Sequence, residues 1–203
     1  SLLEWDGLGK GTFIGMQNYT ELIGDSRFLN SVKNSFLYVL LSLFIQLPLS
    51  LILALVISNL KKGEKFYRTA YFIPVVISGV VIGQLWQKIY NGDYGLLNSI
   101  LGALNLESLQ QDWLGQQDTA LISAFIPNLW QYVGYHMLIM YAGIKSISPE
   151  IQEAARIDGA NRLQIAWRVT IPLLKPILEV CVTFSLIGAL KIFDLIYVLT
   201  GGG

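Results

Sequence analysis

The sequence predicts an all-α membrane protein, and three observations carry that class. Hydrophobic residues fill 53% of the 203 positions and charged residues 14%, against roughly 25% charged in an average soluble domain. The charges gather at a few places and leave four long apolar runs between them, as in a chain solvated by lipid. Those runs lack the alternating pattern of a barrel strand, and lipid offers the backbone no hydrogen bonds, so helices are expected. Buried helices of a soluble fold are the alternative; four runs of this length in so short a chain argue against it.

Composition also excludes several functions. The net charge is zero, so nucleic-acid binding has no electrostatic support. Cys181 is the only cysteine and His136 the only histidine. Neither a disulfide framework within the chain nor a His-based metal site is expected, and no cofactor. The chain opens at Ser1 without Met and stops at Gly201-Gly202-Gly203 in mid-pattern. It reads as a segment of a longer protein, with no signal peptide to interpret.

Taken in order, the first run extends from Asn34 to Leu60 and the second from Thr69 to Gln87. Gln46 and Pro48 in the first, and Pro74 in the second, suggest kinks whose freed carbonyls need partners. Gly79 and Gly83 form a G-x-x-x-G pair that lets another helix approach, within the bundle rather than in a dimer. The third run, Thr119 to Ile144, is followed by a fourth from about Pro176 to Leu199, which is less clean because it holds Glu179, Lys191 and Asp194. Each is long enough to cross roughly 30 Å of hydrocarbon as helix. Gly7-Leu8-Gly9-Lys10-Gly11 is rich in glycine but fails as a phosphate loop, since Lys10 is followed by Gly rather than Ser or Thr.

Basic residues set the orientation. Lys61, Lys62, Lys65 and Arg68 lie between runs one and two, and Lys145, Arg156, Arg162, Arg168 and Lys175 between runs three and four. Only Lys10, Arg27, Lys33 and Lys88 lie on the other side, spread over longer loops. The loops holding Lys61 and Arg156 are therefore expected in the cytoplasm. Ser1 to Lys33 and Lys88 to Asp118 are expected outside. Trp86, Tyr90, Trp113 and Trp130 fall near the outer interface, where amphipathic rings sit. With Ser1 outside, at least one further span is expected to precede it.

The cytoplasmic stretch 145–175 is the informative one. Ser148 followed by Pro149 predicts a helix start, with the hydroxyl as cap, and Glu150 places an acid near the positive end of the helix dipole. Ile151, Ala154, Ala155 and Ile157 form a small apolar face, and Gly159 can end the helix with a left-handed residue. A second helix, about Asn161 to Thr170, would put Leu163, Ala166, Trp167 and Thr170 on one side. Pro172 and Pro176 mark the return to the membrane. On composition alone this helix–turn–helix could equally be an amphipathic surface loop that only tidies the bundle.

The wording of the loop decides between those readings. Glu153-Ala154-Ala155, Gly159 three residues after Arg156, and Ile171-Pro172 beyond resemble the signature loop of permeases in binding-protein-dependent ABC importers. The fuller string Glu-Ala-Ala-Arg-Ile-Asp-Gly-Ala, which includes Asp158, is similar to the sugar-importing branch with the maltose-type permeases. Gly15-Met16-Gln17-Asn18-Tyr19 and Phe193-Asp194-Leu195-Ile196-Tyr197-Val198-Leu199-Thr200-Gly201-Gly202 agree with it. The resemblance implies a type I ABC importer permease bundle with four of six core spans in this segment, one span missing before it and one after. Residues 1–203 would be a single transmembrane domain, multi-pass in the bacterial plasma membrane. Expected partners are a second permease subunit, identical or paralogous, cytoplasmic ATP-binding subunits, an extracytoplasmic solute-binding protein, and the lipid bilayer. The loop would dock in a groove of the ATPase: Ala154 and Ala155 keep its helix slim, Glu153 offers a carboxylate, and Gly159 sets a turn that a Cβ would strain. The chain itself would carry no nucleotide site, have no catalytic residue and perform no chemistry.

Polar groups within spans are costly and mark a pathway by default. Asn128, Gln131, Tyr132 and Tyr135 share one helical face by their i, i+3, i+4, i+7 spacing. Amides beside aromatic rings suit a sugar, whose hydroxyls need hydrogen bonds and whose C–H faces pack on rings. On the fourth run, Ser185, Lys191 and Asp194 are candidates, with Lys191 and Asp194 one turn apart and able to pair. By the resemblance, Gln131, Tyr132, Tyr135, Ser185 and Ala189 fall close to positions that touch sugar in maltose-type permeases. Interhelical hydrogen bonding is the competing role for these groups. His136 neighbours the face and reads as a packed residue. A glycerol phosphate or a polyol is the alternative substrate. A secondary transporter is a more distant rival, which would call for an inverted repeat that the sequence does not show.

Overall fold

The computed structural model describes residues 2–201, and of residues 117 and 118 the backbone alone. Ser1, Gly202 and Gly203, the ends of the outward stretch and of the C-terminal motif, lie outside the described residues. The chain divides into two compact units, residues 1–37 and residues 38–203.

In the first unit, β1 (Leu3–Glu4) pairs antiparallel with β2 (Thr12–Phe13), Leu3 opposite Phe13 and Glu4 opposite Thr12. The glycine-rich stretch is the turn between them. Gly7 and Gly9 have φ of 93° and 79°, a left-handed backbone that side chains with a Cβ resist. Trp5 Nε1 closes the turn by donating to the Gly9 carbonyl at 3.0 Å. Helix α1 (Gln17–Gly24) follows, and then α2 (Ser26–Leu41) begins. Asp25 accepts a hydrogen bond from the Arg27 N–H at 2.8 Å, which satisfies one of the donors that a helix start leaves open. The first apolar run is thus helical from Ser26 rather than Asn34, and continues to Ser58 over 33 residues.

The second unit carries the remaining elements. A π-helical turn, Ser42–Gln46, joins α2 to α3 (Leu47–Ser58) just ahead of Pro48. Proline has no N–H to give and crowds the preceding turn, so the helix widens there instead of breaking. The Ser50 hydroxyl lies 2.8 Å from the Gln46 carbonyl and 3.0 Å from that of Val133 on α7 (Gln117–Ser146).

The second run departs from the single span expected over Thr69 to Gln87. Helix α4 (Glu64–Phe72) passes into a 3₁₀ turn (Ile73–Val76), and α5 (Gly79–Ile89) sets off at 97° to it. Pro74 alone would kink a helix; here Ile77 adopts extended backbone and ends it. Gln131 donates its amide to the Ile77 carbonyl at 3.0 Å, supplying the partner that a broken helix needs away from water. Gly134 on α7 seats this segment: a Cβ there would overlap the Tyr71 carbonyl.

The fourth run is also interrupted. Helix α11 (Lys175–Lys191) stops before Ile192-Phe193, and α12 (Asp194–Thr200) starts afresh. The continuous span expected from Pro176 to Leu199 is therefore two helices. Of the G-x-x-x-G pair, Gly83 lies against α12, with Val198 side-chain carbon 2.8 Å from where a Cβ would stand, whereas Gly79 faces open space. Among the described residues one helix, Ser26–Ser58, is long and apolar enough to cross a membrane, or up to three segments if each bent pair counts as one span. Helix α7 has 30 residues, but Asn128, Gln131 and His136 interrupt its apolar sequence.

Among the described residues, three clusters form the core. Leu47, Ala54, Ile57, Met137, Met140 and Cys181 join α3, α7 and α11. Tyr38 meets Phe125 edge-on at 5.4 Å, with Val39 and Ala189. Ile82, Ala124, Leu195 and Leu199 tie α5 and α12 to α7. The four aromatic residues expected at the outer interface form a chain of rings: Trp130 with Trp86 at 6.2 Å, Trp86 with Tyr90 at 5.2 Å, Tyr90 with Trp113 at 6.3 Å. Asn98, on α6 (Leu96–Ala103), anchors the last of these by accepting from Trp113 Nε1 at 2.9 Å and donating to the carbonyls of Gly92 and Gln111.

Candidate functional site

One cavity of about 460 Å³ in the second unit brings together all seven path candidates: Asn128, Gln131, Tyr132 and Tyr135 from α7, Ser185 and Ala189 from α11, and Asp194 from α12. The helical spacing on α7 puts its four on one wall; the breaks at Ile77 and Ile192 open the space opposite. The amides are not loose. Asn128 donates to Gln46 Oε1 at 3.4 Å, and Gln131 is held by the Ile77 carbonyl. Gln131 is 3% exposed and Tyr132 39%, so one is fixed in the wall by the bond it donates and the other is open to the space. Tyr135 meets the Phe184 ring at 6.3 Å and the His136 ring edge-on at 5.3 Å. The Ser185 hydroxyl is buried without a hydrogen-bond partner among the described residues, a costly arrangement in the cavity wall.

The expected Lys191–Asp194 pair is not formed. The break after Lys191 removes the helical geometry that would bring the two together, and neither takes part in an ion pair among the described residues. Both line the cavity instead. Sequence reasoning missed Ser42, Gln46, Phe184 and Phe193 as lining residues. Gln46 was legible as a polar group in an apolar run, but only the π-helical turn brings it opposite Asn128. His136 is 3% exposed and also lines the cavity.

The loop beyond α7 folds as two helices. Helix α8 (Pro149–Ile157) starts at the expected place, but the Ser148 side chain makes no capping hydrogen bond; Pro149 at the first position starts the helix without it. Gly159 has φ 85°. The turn is closed by the Gly159 N–H to the Arg156 carbonyl at 3.0 Å and the Ala160 N–H to the Ala155 carbonyl at 2.9 Å. Glu153, Ala154 and Asp158 are exposed, and Ala155 is half-buried. Helix α9 (Arg162–Ile165) opens on a reciprocal cap, in which Asn161 Oδ1 accepts from the Gln164 N–H and Gln164 Oε1 from the Asn161 N–H. A π-helical turn (Ala166–Thr170) follows and runs into α10 (Ile171–Leu173), where Ile171 and Pro172 sit. That turn shifts the register, so the buried side chains are Ile165 and Thr170. Leu163 and Trp167, expected on one side with Thr170, are 72% and 69% exposed.

Glu64 ties the two basic loops. It is 3.5 Å from Arg68 and 3.4 Å from Lys145, and accepts from the Tyr141 hydroxyl. Lys145 also donates to the Ser58 carbonyl at 2.9 Å, and Arg68 stacks 4.7 Å from the Tyr141 ring centroid. An acid inside a basic loop was the available signal. Replacing Glu64 by Gln is expected to cost about 1 kcal/mol or less, because both ion pairs are partly solvated. Thermal melts of E64Q, K145Q and the double variant check this; a coupling energy indistinguishable from zero would show that the pair does not hold the loops.

The family model described as binding-protein-dependent transport system inner membrane component matches residues 22–203. The chain is 41% identical over 206 aligned residues to the probable ABC transporter permease protein YurN of Bacillus subtilis, covering 100% of this chain and 70% of that protein. It is 34% identical over 191 residues to the trehalose/maltose transport system permease protein MalF of Thermococcus litoralis, with 94% and 64% covered. Among solved structures, a bacterial ABC transporter involved in the import of the acidic polysaccharide alginate superposes with a TM-score of 0.84 at 27% identity, over 93% of this chain and 66% of that one. The chain thus spans between 64% and 70% of the length of these proteins.

Proposed function

Because this chain belongs to the family of binding-protein-dependent transport system inner membrane components, we propose that the cavity beside Gln131 and Tyr135 is its share of the path by which a sugar enters the cell. The observation that carries this is the gathering of Asn128, Gln131, Tyr132, Tyr135, Ser185, Ala189 and Asp194 around one space. Fixed amides and the Tyr132 hydroxyl offer hydrogen bonds to sugar hydroxyls, while the Tyr135 and Phe184 rings offer faces to its C–H groups. The trehalose/maltose relative supports a sugar over a polyol or glycerol phosphate.

The protein is an inner-membrane permease subunit of an ABC importer, and its multi-pass course is part of the proposal. Residues 1–203 supply four of six core spans of one transmembrane domain, with the bent pairs and α7 each serving as a span. A second permease closes the path, an extracytoplasmic solute-binding protein delivers the sugar, and ATP is hydrolysed on cytoplasmic subunits. Glu153, Ala154, Ala155, Asp158 and Gly159, with Ile171 and Pro172 behind them, couple to those subunits.

Tyr135→Ala in the full protein is expected to lower sugar uptake about tenfold, equivalent to ~1.4 kcal/mol of lost binding in the path. Insertion and ATPase-subunit association should persist. Gln131→Ala should be more damaging to the fold, since it also strands the Ile77 carbonyl. Wild-type uptake by the Tyr135 variant would leave the α7 face as packing alone.

A further inference from the structure

Two adjoining hollows lie where α3 ends, on the face that carries the basic loops. Lys61, Arg156 and Arg162 line the larger, of about 570 Å³, together with Asn59, Asn161 and Ile165. The smaller, of about 220 Å³, shares Arg156 and Arg162 and adds Lys145. No carboxylate lines either hollow. Among the described residues the ion pairs are Glu64 with Arg68 and Lys145, and Lys175 with Glu179. Lys61, Arg156 and Arg162 therefore converge on one space without an acidic partner.

We propose that this hollow binds a phosphate group, borne by an anionic phospholipid headgroup or by free phosphate. Three like charges around one concavity repel one another, and an anion between them adds an attraction to each that offsets the repulsion. The two guanidinium forks match phosphate oxygens in geometry, and the lysine adds a point charge. The C-terminal end of α3 opposes an anion with roughly half a charge, against three full positive ones. Position favours phosphate over other anions: the helix Ser26–Ser58 is apolar enough to span a bilayer, and the hollow sits just past its end. That is the level at which headgroup phosphates collect and at which basic pockets take them. The inference goes beyond the transport reading and depends on it only for which side of the membrane these loops face; its test needs no transport.

The test uses the full-length protein in nanodiscs, with or without phosphatidylglycerol in a phosphatidylcholine background. Retained lipid is read by native mass spectrometry, and inorganic phosphate binding by thermal shift. Removing Arg156 and Arg162 as R156Q/R162Q is expected to reduce anion retention about fivefold per charge. Arg168→Gln with Lys175→Gln, which removes the same charge away from the hollow, should leave it near wild type. Loss of phosphatidylglycerol enrichment identifies a lipid headgroup, and loss of the phosphate-induced shift alone identifies free phosphate. If R156Q/R162Q misfolds, R156K/R162K keeps the charges and should retain most of the binding. Equal loss in both charge-removal pairs, or no loss in R156Q/R162Q, overturns the site. So does unchanged anion binding alongside lost association with ATPase subunits, which would assign these cations to an acidic protein surface.

Discussion

Gly159→Val is expected to abolish transport while the permease still inserts and the proposed solute-binding protein still loads. The residue has φ 85°, and an added Cβ would meet nothing within 4 Å. Crowding is therefore not the obstacle. The obstacle is backbone: a β-branched residue held in the left-handed region costs roughly 1–3 kcal/mol. In an exposed turn that cost is relieved by changing the turn, and α9 would then leave α8 in a different direction. The proposed docking of this loop on an ATPase depends on that direction. The damage should rank Val above Asp above Asn, because Asn tolerates the left-handed region best. A companion test separates shape from charge. Glu153→Lys should weaken association more than Glu150→Lys, although both reverse an acid on the same short helix. Co-purification of the ATPase from membranes, with transport-driven ATP hydrolysis, measures each. Wild-type values for Gly159→Val and Glu153→Lys would make the loop a passive connector.

Gly134→Leu should have the largest effect on folding. The α7 backbone touches the α4 backbone at this point, and even one methyl would overlap the Tyr71 carbonyl and come within 3.1 Å of the Phe72 nitrogen. Backbone cannot rotate away as a side chain can, so the helices must separate. Overpacking of this kind costs about 1–3 kcal/mol or more. Separation would also pull Ile77 from Gln131 and disturb the cavity. Gly79→Ala, in open space, is the contrast and should insert and melt like wild type. Membrane yield and thermal stability in detergent decide it. A Gly134→Leu variant of normal stability would show that α4 and α7 do not meet in this way.

Local composition and spacing were enough to specify part of this fold. Apolar runs free of charge specified helices, because lipid leaves the backbone no other partner. The α7 face was legible because a period of 3.6 residues is a local property: Asn128, Gln131, Tyr132 and Tyr135 had to share a side once α7 was a helix. Gly159 was legible for the same reason, as a helix stop after Pro149 with no competing signal nearby. The loop's wording placed the chain in its family.

Tertiary structure alone decided where the helices break and what the breaks serve. Pro74 allows a kink of almost any size; the 97° turn persists because Gln131, 54 residues later, takes the carbonyl that it frees. Lys191 and Asp194 were three residues apart and could have paired, yet the helix ends between them and both face the cavity. The exposed face of α9 could not be read from a 3.6-residue period, because a π-helical turn interrupts that period within the segment. Gly134 carried no signal of its own among 19 glycines; its importance lies wholly in a backbone that arrives from another helix. Local rules describe which hydrogen bonds a segment can make with itself. The bonds it must find elsewhere are set by whatever the fold brings near.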